Sequence, residues 1–197
     1  MNMMKGKKWF VALAVLGALI LPPACSEGTA GTDEALEDLK IASARNGCCV
    51  ATGTITEAEG TGLLFMYEEE KMARDVYAYL STLYTVPVFR NISRSEQAHM
   101  NAVKNLIVGF KVEDGEILEK EAGEYVNKEL AALYAELTAK GKVSLKDALE
   151  VGMLIEEVDI KDLETQLLEI TNPSVKTVYT NLLRASKVHL KAFSSKL

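Results

Sequence analysis

Glu96 and His99 stand three residues apart in the run Ser95-Glu96-Gln97-Ala98-His99, so on a helix they project from one face. That face continues through Ile92, Val103, Leu106 and Phe110, in steps of three and four that mark the buried seam of an amphipathic helix. A carboxylate and an imidazole in the middle of an apolar seam need a partner, because a buried ion left alone costs several kcal/mol. A metal ion is such a partner. Glu-x-x-His on a helix is the ligand pair of carboxylate-bridged two-metal bundles.

Three more seams show the same interruption. Met66, Glu70, Ala73, Tyr77, Leu80 and Tyr84 put Glu70 on a buried line, while Glu68 and Glu69 fall off it and are expected on a solvated face. Leu145, Leu149, Gly152, Glu156, Asp159 and Leu163 place two acids on a third line; Glu157 points about 100° away and is the second choice. Val175, Tyr179, Leu182, Ser186, His189 and Phe193 form the fourth. The chain has only 2 histidines, and both fall on seams. Taken singly, a seam histidine is best explained as a hydrogen-bonded core residue and a seam glutamate as a register device. Taken together, these residues are not explained so easily. Carboxylates sharing a core repel one another unless some hold protons, and a pair of divalent cations removes that repulsion. Glu70, Glu96, His99, Glu156 and His189 are therefore the candidate metal ligands, with Asp159 as a sixth. Oxygen and imidazole donors without thiolate suit iron first, as a di-iron pair, then manganese or zinc. Tyr67 and Tyr77 lie close enough in sequence to serve as electron relays, but are read as packing aromatics.

The elements that must position these side chains are helices. The first spans about 57–83 and opens on a capping box, Thr56-Glu57-Ala58-Glu59. Val86-Pro87-Val88 breaks it, and Asn91 is expected to cap the second helix, ending at Phe110. Residues 111–143 form a long charged crossover holding a short helix, Lys128–Ala139, that Gly141 ends. Ser144 caps the third long helix, in which Gly152 costs about 1 kcal/mol against Ala; close helix contact or room for a ligand would offset that. Asn172-Pro173 opens the fourth, with a cap followed by Pro at the first position. The fold class is all-α: a four-helix bundle with one long crossover, as in ferritin-like folds.

The first 24 residues read as a targeting segment. Lys5, Lys7 and Lys8 precede an apolar run from Trp9 to Leu21, the length of a signal-peptide core and short of the roughly 20 residues a membrane span needs. Pro22-Pro23-Ala24-Cys25-Ser26 resembles a bacterial lipoprotein cleavage site, with Pro22 where that motif usually has Leu. The expectation is export to a bacterial cell envelope, with lipidation at Cys25 as a membrane anchor; the alternative is a cleaved secretory signal with Cys25 incidental. Loss of the three lysines would take the net charge from −6 to −9, which disfavours nucleic acid and attracts cations. Residues 25–55 read as a tether, with a short helix within 33–44, and 56–197 as the bundle. Adjacent Cys48 and Cys49 are closer than disulfide geometry prefers, so free thiols or one bridge to another chain is expected.

These runs also carry a resemblance. Glu70-Lys71-Met72-Ala73-Arg74-Asp75-Val76-Tyr77 looks like the first ligand helix of rubrerythrins, and Ser95-Glu96-Gln97-Ala98-His99 like their second. Leu182–His189 is similar to the last ligand helix of bacterioferritin, with Ser186 where that family has Glu. Residues from about Thr56 onward most resemble the ferritin-like family catalogued as domain of unknown function 2202. The resemblance implies a ferritin-like fold and supplies no reaction. With Ser186 the two-metal set has three carboxylates, and Asp159 or water would complete it. The expected function is an exported di-iron protein reacting with oxygen or peroxide, of ferroxidase or peroxidase type. The alternative is a non-catalytic envelope lipoprotein that binds a partner or sequesters metal. A second copy of the chain, as a homodimer, is a further candidate partner. A closed storage shell fits poorly with a tether and a 33-residue crossover.

Overall fold

The computed structural model describes residues 51–197; Cys25, the 1–24 targeting segment, the 33–44 helix and the Cys48-Cys49 pair lie outside the described residues. Among the described residues there are five α-helices and no strand: α1 (Glu57–Leu83), α2 (Pro87–Phe110), α3 (Lys128–Gly141), α4 (Leu145–Leu167) and α5 (Pro173–Ser194), with a short 3-10 turn at Ile117–Glu119 between α2 and α3. None of them is long and apolar enough to cross a membrane.

The helix starts follow local chemistry. At α1, Thr56 Oγ1 accepts from the Glu59 backbone N–H at 3.1 Å while Glu59 Oε2 accepts from the Thr56 N–H at 2.8 Å, a complete capping box. Ser144 and Asn172 cap α4 and α5 as expected. The start of α2 differs. Its N-cap is Val86, Pro87 is its first residue, and Asn91 lies one turn inside. Proline already lacks the N–H that a first helical residue cannot use, so Pro87 opens the helix rather than delaying it. The short helix also runs on to Gly141. This glycine allows close packing: a Cβ there would come within 2.7 Å of Leu80 Cδ2. Gly152 has the same role, since its Cβ would lie 2.6 Å from the Phe193 ring. Helix contact, not ligand space, is what offsets its propensity cost. The α4 seam begins a turn later than the spacing suggests, because Leu145 is exposed.

The core is divided lengthwise. One apolar cluster gathers Val76, Tyr77 and Leu80 of α1, Phe89 and Ile92 of α2, Leu149 and Ile155 of α4, and Phe193 of α5. The other gathers Leu63 and Met66, then Met100, Val103 and Leu106, then Leu163, then Val175, Val178 and Leu182. In all four long helices the polar seam residues fall in sequence between the two clusters. The metal-ligand candidates thus occupy one layer with apolar packing above and below.

Glu68 and Glu69 overturn the solvated-face expectation, being 2% and 3% exposed. The crossover covers Glu68, whereas the acids that act on Glu69 from outside α1 are Asp159 and Asp162 of α4. Glu68 accepts from the backbone N–H groups of Val126 at 2.5 Å and Asn127 at 2.9 Å, at the start of α3. Nearby, buried Lys71 donates to Asp75 Oδ2 at 2.8 Å and to the Glu121 carbonyl at 2.5 Å. Asp75 also accepts from Arg74, the Gly123 N–H and the Tyr125 hydroxyl. Replacing Glu68 strands two backbone donors, and hydrogen bonds to a charged group contribute about 1.5–3 kcal/mol each. Glu68→Ala is therefore expected to lower unfolding free energy by about 3–6 kcal/mol in urea titration; an unchanged midpoint would show that the latch contributes nothing. The last part of the expected tether is also docked: Asn172 Nδ2 donates to the carbonyls of Thr52 and Thr54 at 2.9 and 3.0 Å.

Candidate metal centre

Helix period brings every predicted ligand into the polar layer. Glu70, Glu96, His99, Glu156, Asp159 and His189 are all buried, and both imidazoles are fully so. They form two triads, Glu70–Glu96–His99 and Glu96–Glu156–His189, in each of which three ligand atoms lie within 4.8 Å of one another. Glu96 belongs to both. Its Oε2 lies 2.5 Å from His99 Nδ1, and its Oε1 lies 2.9 Å from His189 Nδ1. Each triad adds a glutamate of its own: Glu70 Oε2 is 3.1 Å from His99 Nδ1, and Glu156 Oε2 is 3.5 Å from His189 Nδ1. The two rings stack at 5.5 Å between centroids, 23° from parallel. α1 and α2 supply the first triad; α2, α4 and α5 supply the second.

Several of these atoms have neighbours without having hydrogen bonds. His189 Nδ1, Glu96 Oε1 and Glu70 Oε1 are buried and lack a hydrogen-bond partner. The 2.9 Å between His189 Nδ1 and Glu96 Oε1 is short enough for such a bond, but the two atoms are not aligned for one. Two donors each about 2.1 Å from a shared ion, and meeting there at a right angle, stand about 3 Å apart. The spacing fits ligands aimed at a common third point.

Neighbours fix the orientation of the ligands. Ser95 Oγ lies 3.1 Å from His189 Nε2 and 3.5 Å from His99 Nε2. Accepting both Nε2 protons leaves both Nδ1 lone pairs facing the carboxylates, the tautomer a metal requires. The Tyr77 hydroxyl donates to Glu156 Oε1 at 2.7 Å and touches the Gly152 carbonyl at 3.3 Å. Tyr77 thus holds a ligand in place, beyond its packing role; Tyr67 packs in the cluster around Met100 and Val103. Ser186 donates to Asp159 Oδ2 at 2.5 Å, with the Leu182 carbonyl 2.9 Å from the same hydroxyl, and Asp159 Oδ1 is left without a partner. An acid from α4 thus stands beside position 186, although Asp159 belongs to neither triad. Glu157 is exposed, as expected for a side chain off the seam.

Ser95 is the functional residue that seam reading passed over. The available signal was its place one turn before His99 on the same face.

The electrostatics show how much charge is packed here. Burial alone would raise the Glu96 carboxyl, but His189 and His99 outweigh it and hold it well below the ordinary range. Burial pushes the imidazoles down, yet Glu70 and Glu96 raise His99, and Glu96 and Glu156 raise His189 to about 10. Burial, with Glu156 beside it, lifts Asp159 to about 7, and burial lifts Glu70 and Glu156 despite their histidines. Without cations, protons must balance this layer. Four carboxylates against two divalent ions balance without them.

Helical packing and a buried carboxylate–histidine layer make this an all-α protein with groups that could hold a metal ion. Residues 59–197 match the uncharacterized protein domain DUF2202, and the chain belongs to that family. It is 42% identical over 139 residues to the uncharacterized protein MJ0754 of Methanocaldococcus jannaschii, spanning 71% of this chain and 75% of that protein. The crystal structure of hypothetical protein MJ0754 is similar with a TM-score of 0.71 at 41% identity, over 74% of this chain and 83% of that one.

Proposed function

We propose that the chain is a ferritin-like four-helix bundle holding two metal ions, iron by preference, and that it reacts with oxygen or peroxide as a ferroxidase or peroxidase. The observation that supports this most is Glu96, which turns one carboxylate oxygen to each of two buried histidines and so joins two ligand triads. The donor set is oxygen and imidazole only, which suits iron, manganese or zinc. When bound, a pair of iron ions would supply the electrons for reducing oxygen or peroxide.

The chain's own residues have separable tasks in this reading. Glu96 spans the two sites. Glu70 with His99, and Glu156 with His189, complete one site each. Ser95 fixes both imidazole tautomers, and Tyr77 holds Glu156 so that its other oxygen faces His189. The apolar clusters on either side keep bulk water out, which strengthens every charge interaction inside. Export and a lipid anchor at Cys25 belong to the same proposal and rest on the N-terminal sequence alone. The second reading, an envelope protein that holds metal without turnover, is favoured by one observation: Ser186 engages Asp159 Oδ2, and Asp159 belongs to neither triad.

Oxygen or peroxide consumption with Fe²⁺, wild type against His99→Ala, separates these readings. The proposal expects wild-type consumption and a loss on the order of a hundred-fold in the variant, the upper range for disturbing a metal shell. Equal rates in the two proteins would leave only metal or partner binding. Purification without metal, together with unchanged melting on addition of Fe²⁺ or Mn²⁺, would end both metal readings.

A further inference from the structure

Beyond the two triads, unpartnered buried oxygen atoms continue along one side of the polar layer. Glu69 Oε2, Glu70 Oε1, Asp159 Oδ1 and the Tyr179 hydroxyl are all buried and without a hydrogen bond. Glu69, Glu70 and Asp159 are near enough to act on one another's charge, and all three act on Tyr179. Leaving one buried polar atom unsatisfied costs about 1–3 kcal/mol, and more if it is charged. Four in one neighbourhood mark a place that something visits.

The helices show where this place leads. On α4, Glu156, Asp159, Asp162 and Gln166 follow in steps of three, three and four, so they line one side of the helix. Glu156 and Asp159 are buried, while Asp162 and Gln166 are partly exposed. The Asp162 carboxyl is near enough to Glu69 of α1 for each to act on the other's charge. Gly62, two turns before Glu69 on α1, lets the Gln166 side chain lie against that helix: a Cβ there would come within 2.7 Å of Gln166 Oε1 and 3.8 Å of the Tyr179 hydroxyl. A polar strip thus runs from the surface at Asp162 and Gln166, past Glu69 and Tyr179, to Asp159 and Glu70 at the centre.

Three carboxylates call for a cation rather than an anion or a neutral ligand. They do not call for a third resident ion. Among the described residues, only the two triads bring three ligand atoms within 4.8 Å of one another. Separate oxygens in succession suit an ion passing from one to the next.

We infer that this strip is the route by which divalent cations reach the centre, with Asp162 at its mouth, Glu69 as its buried relay and Asp159 as the last oxygen before the triads. The inference rests on the two-metal reading above. The full chain would be mixed with several equivalents of Co²⁺ in a stopped-flow instrument, the bound ion followed by its visible absorption, and final stoichiometry measured after dialysis. Wild type and Glu69→Gln should both end with two ions per chain. The loading rate of Glu69→Gln should be slower by on the order of ten-fold or more, and Asp162→Asn slower by several-fold, the scale on which charged clefts raise on-rates. Glu69→Gln keeps the side chain's shape and relieves like-charge repulsion, so it should fold. Wild-type loading rates in Glu69→Gln would overturn the route while leaving the centre intact. Loss of bound Co²⁺ at equilibrium in that variant would overturn it too, by making Glu69 a resident ligand. A wild type that binds no Co²⁺ would sink the two-metal reading and the route with it.

Discussion

Glu96→Ala is expected to abolish loading of both ions, whereas Glu70→Ala and Glu156→Ala should each abolish one. The difference follows from geometry. Glu96 is the one side chain common to both triads, with Oε2 at His99 and Oε1 at His189. Glu70 meets only His99, and Glu156 only His189. Removing Glu96 also removes the charge that most strongly holds the His189 proton, but that proton competes with metal far less than a missing ligand does. Affinity at both sites should fall by on the order of a hundred-fold or more, since even outer-shell changes cost 10–100-fold. Stoichiometry by elemental analysis after dialysis against Mn²⁺ would read two ions for wild type, one for each terminal variant and none for Glu96→Ala. Circular dichroism of each variant confirms that it is helical. If Glu96→Ala retained even one ion, the shared-carboxylate geometry would be wrong.

That geometry was legible in the sequence because helix period is a local rule. Seam spacing put Glu70, Glu96, His99, Glu156, Asp159 and His189 on buried lines, and all six meet in one layer. What stayed hidden depended on distant chain. Glu68 is buried because residues 126 and 127 fold back over it, and no pattern near residue 68 encodes that. The partner that gives Ser95 its role includes His189, 94 residues away. Tyr77 looked like packing because its hydroxyl partner lies 79 residues off, on α4. The misplaced start of α2 has a different origin: Asn91 and Pro87 both signal a helix start, and the earlier one prevailed because the chain turns back at residues 84–86.

Heat stability should respond to pH in opposite senses with and without metal. In the ion-free protein the two imidazoles are held protonated between carboxylates, and His189 titrates near 10 against an ordinary 6.5. A raised imidazole contributes stability that is fully present below about 6.5 and is lost as pH rises toward about 10. Asp159, raised to about 7 from 3.8, acts in the same direction over a lower window: its contribution is present below 3.8 and gone above about 7. Glu96 opposes both, since its depressed carboxyl contributes stability above its ordinary 4.5 that is lost as acid protonates it. Ion-free protein should therefore be most stable in mild acid and lose stability steadily from neutral pH to pH 9. Metal reverses the upper limb, because an ion at Nδ1 takes the place of the proton and binds more tightly as protons become scarce. At a hundred times the dissociation constant each site adds about 2.7 kcal/mol, so two add roughly 5 kcal/mol. A domain of this size gains about 2–4 °C per kcal/mol, which puts the shift at roughly 10–20 °C. Calorimetric melting at pH 6 to 9, with chelator and with excess Mn²⁺, should give curves that diverge as pH rises. Parallel curves would mean that the imidazole protons and the metal do not compete for the same nitrogen atoms. The histidines would then be held by carboxylates for structural reasons alone.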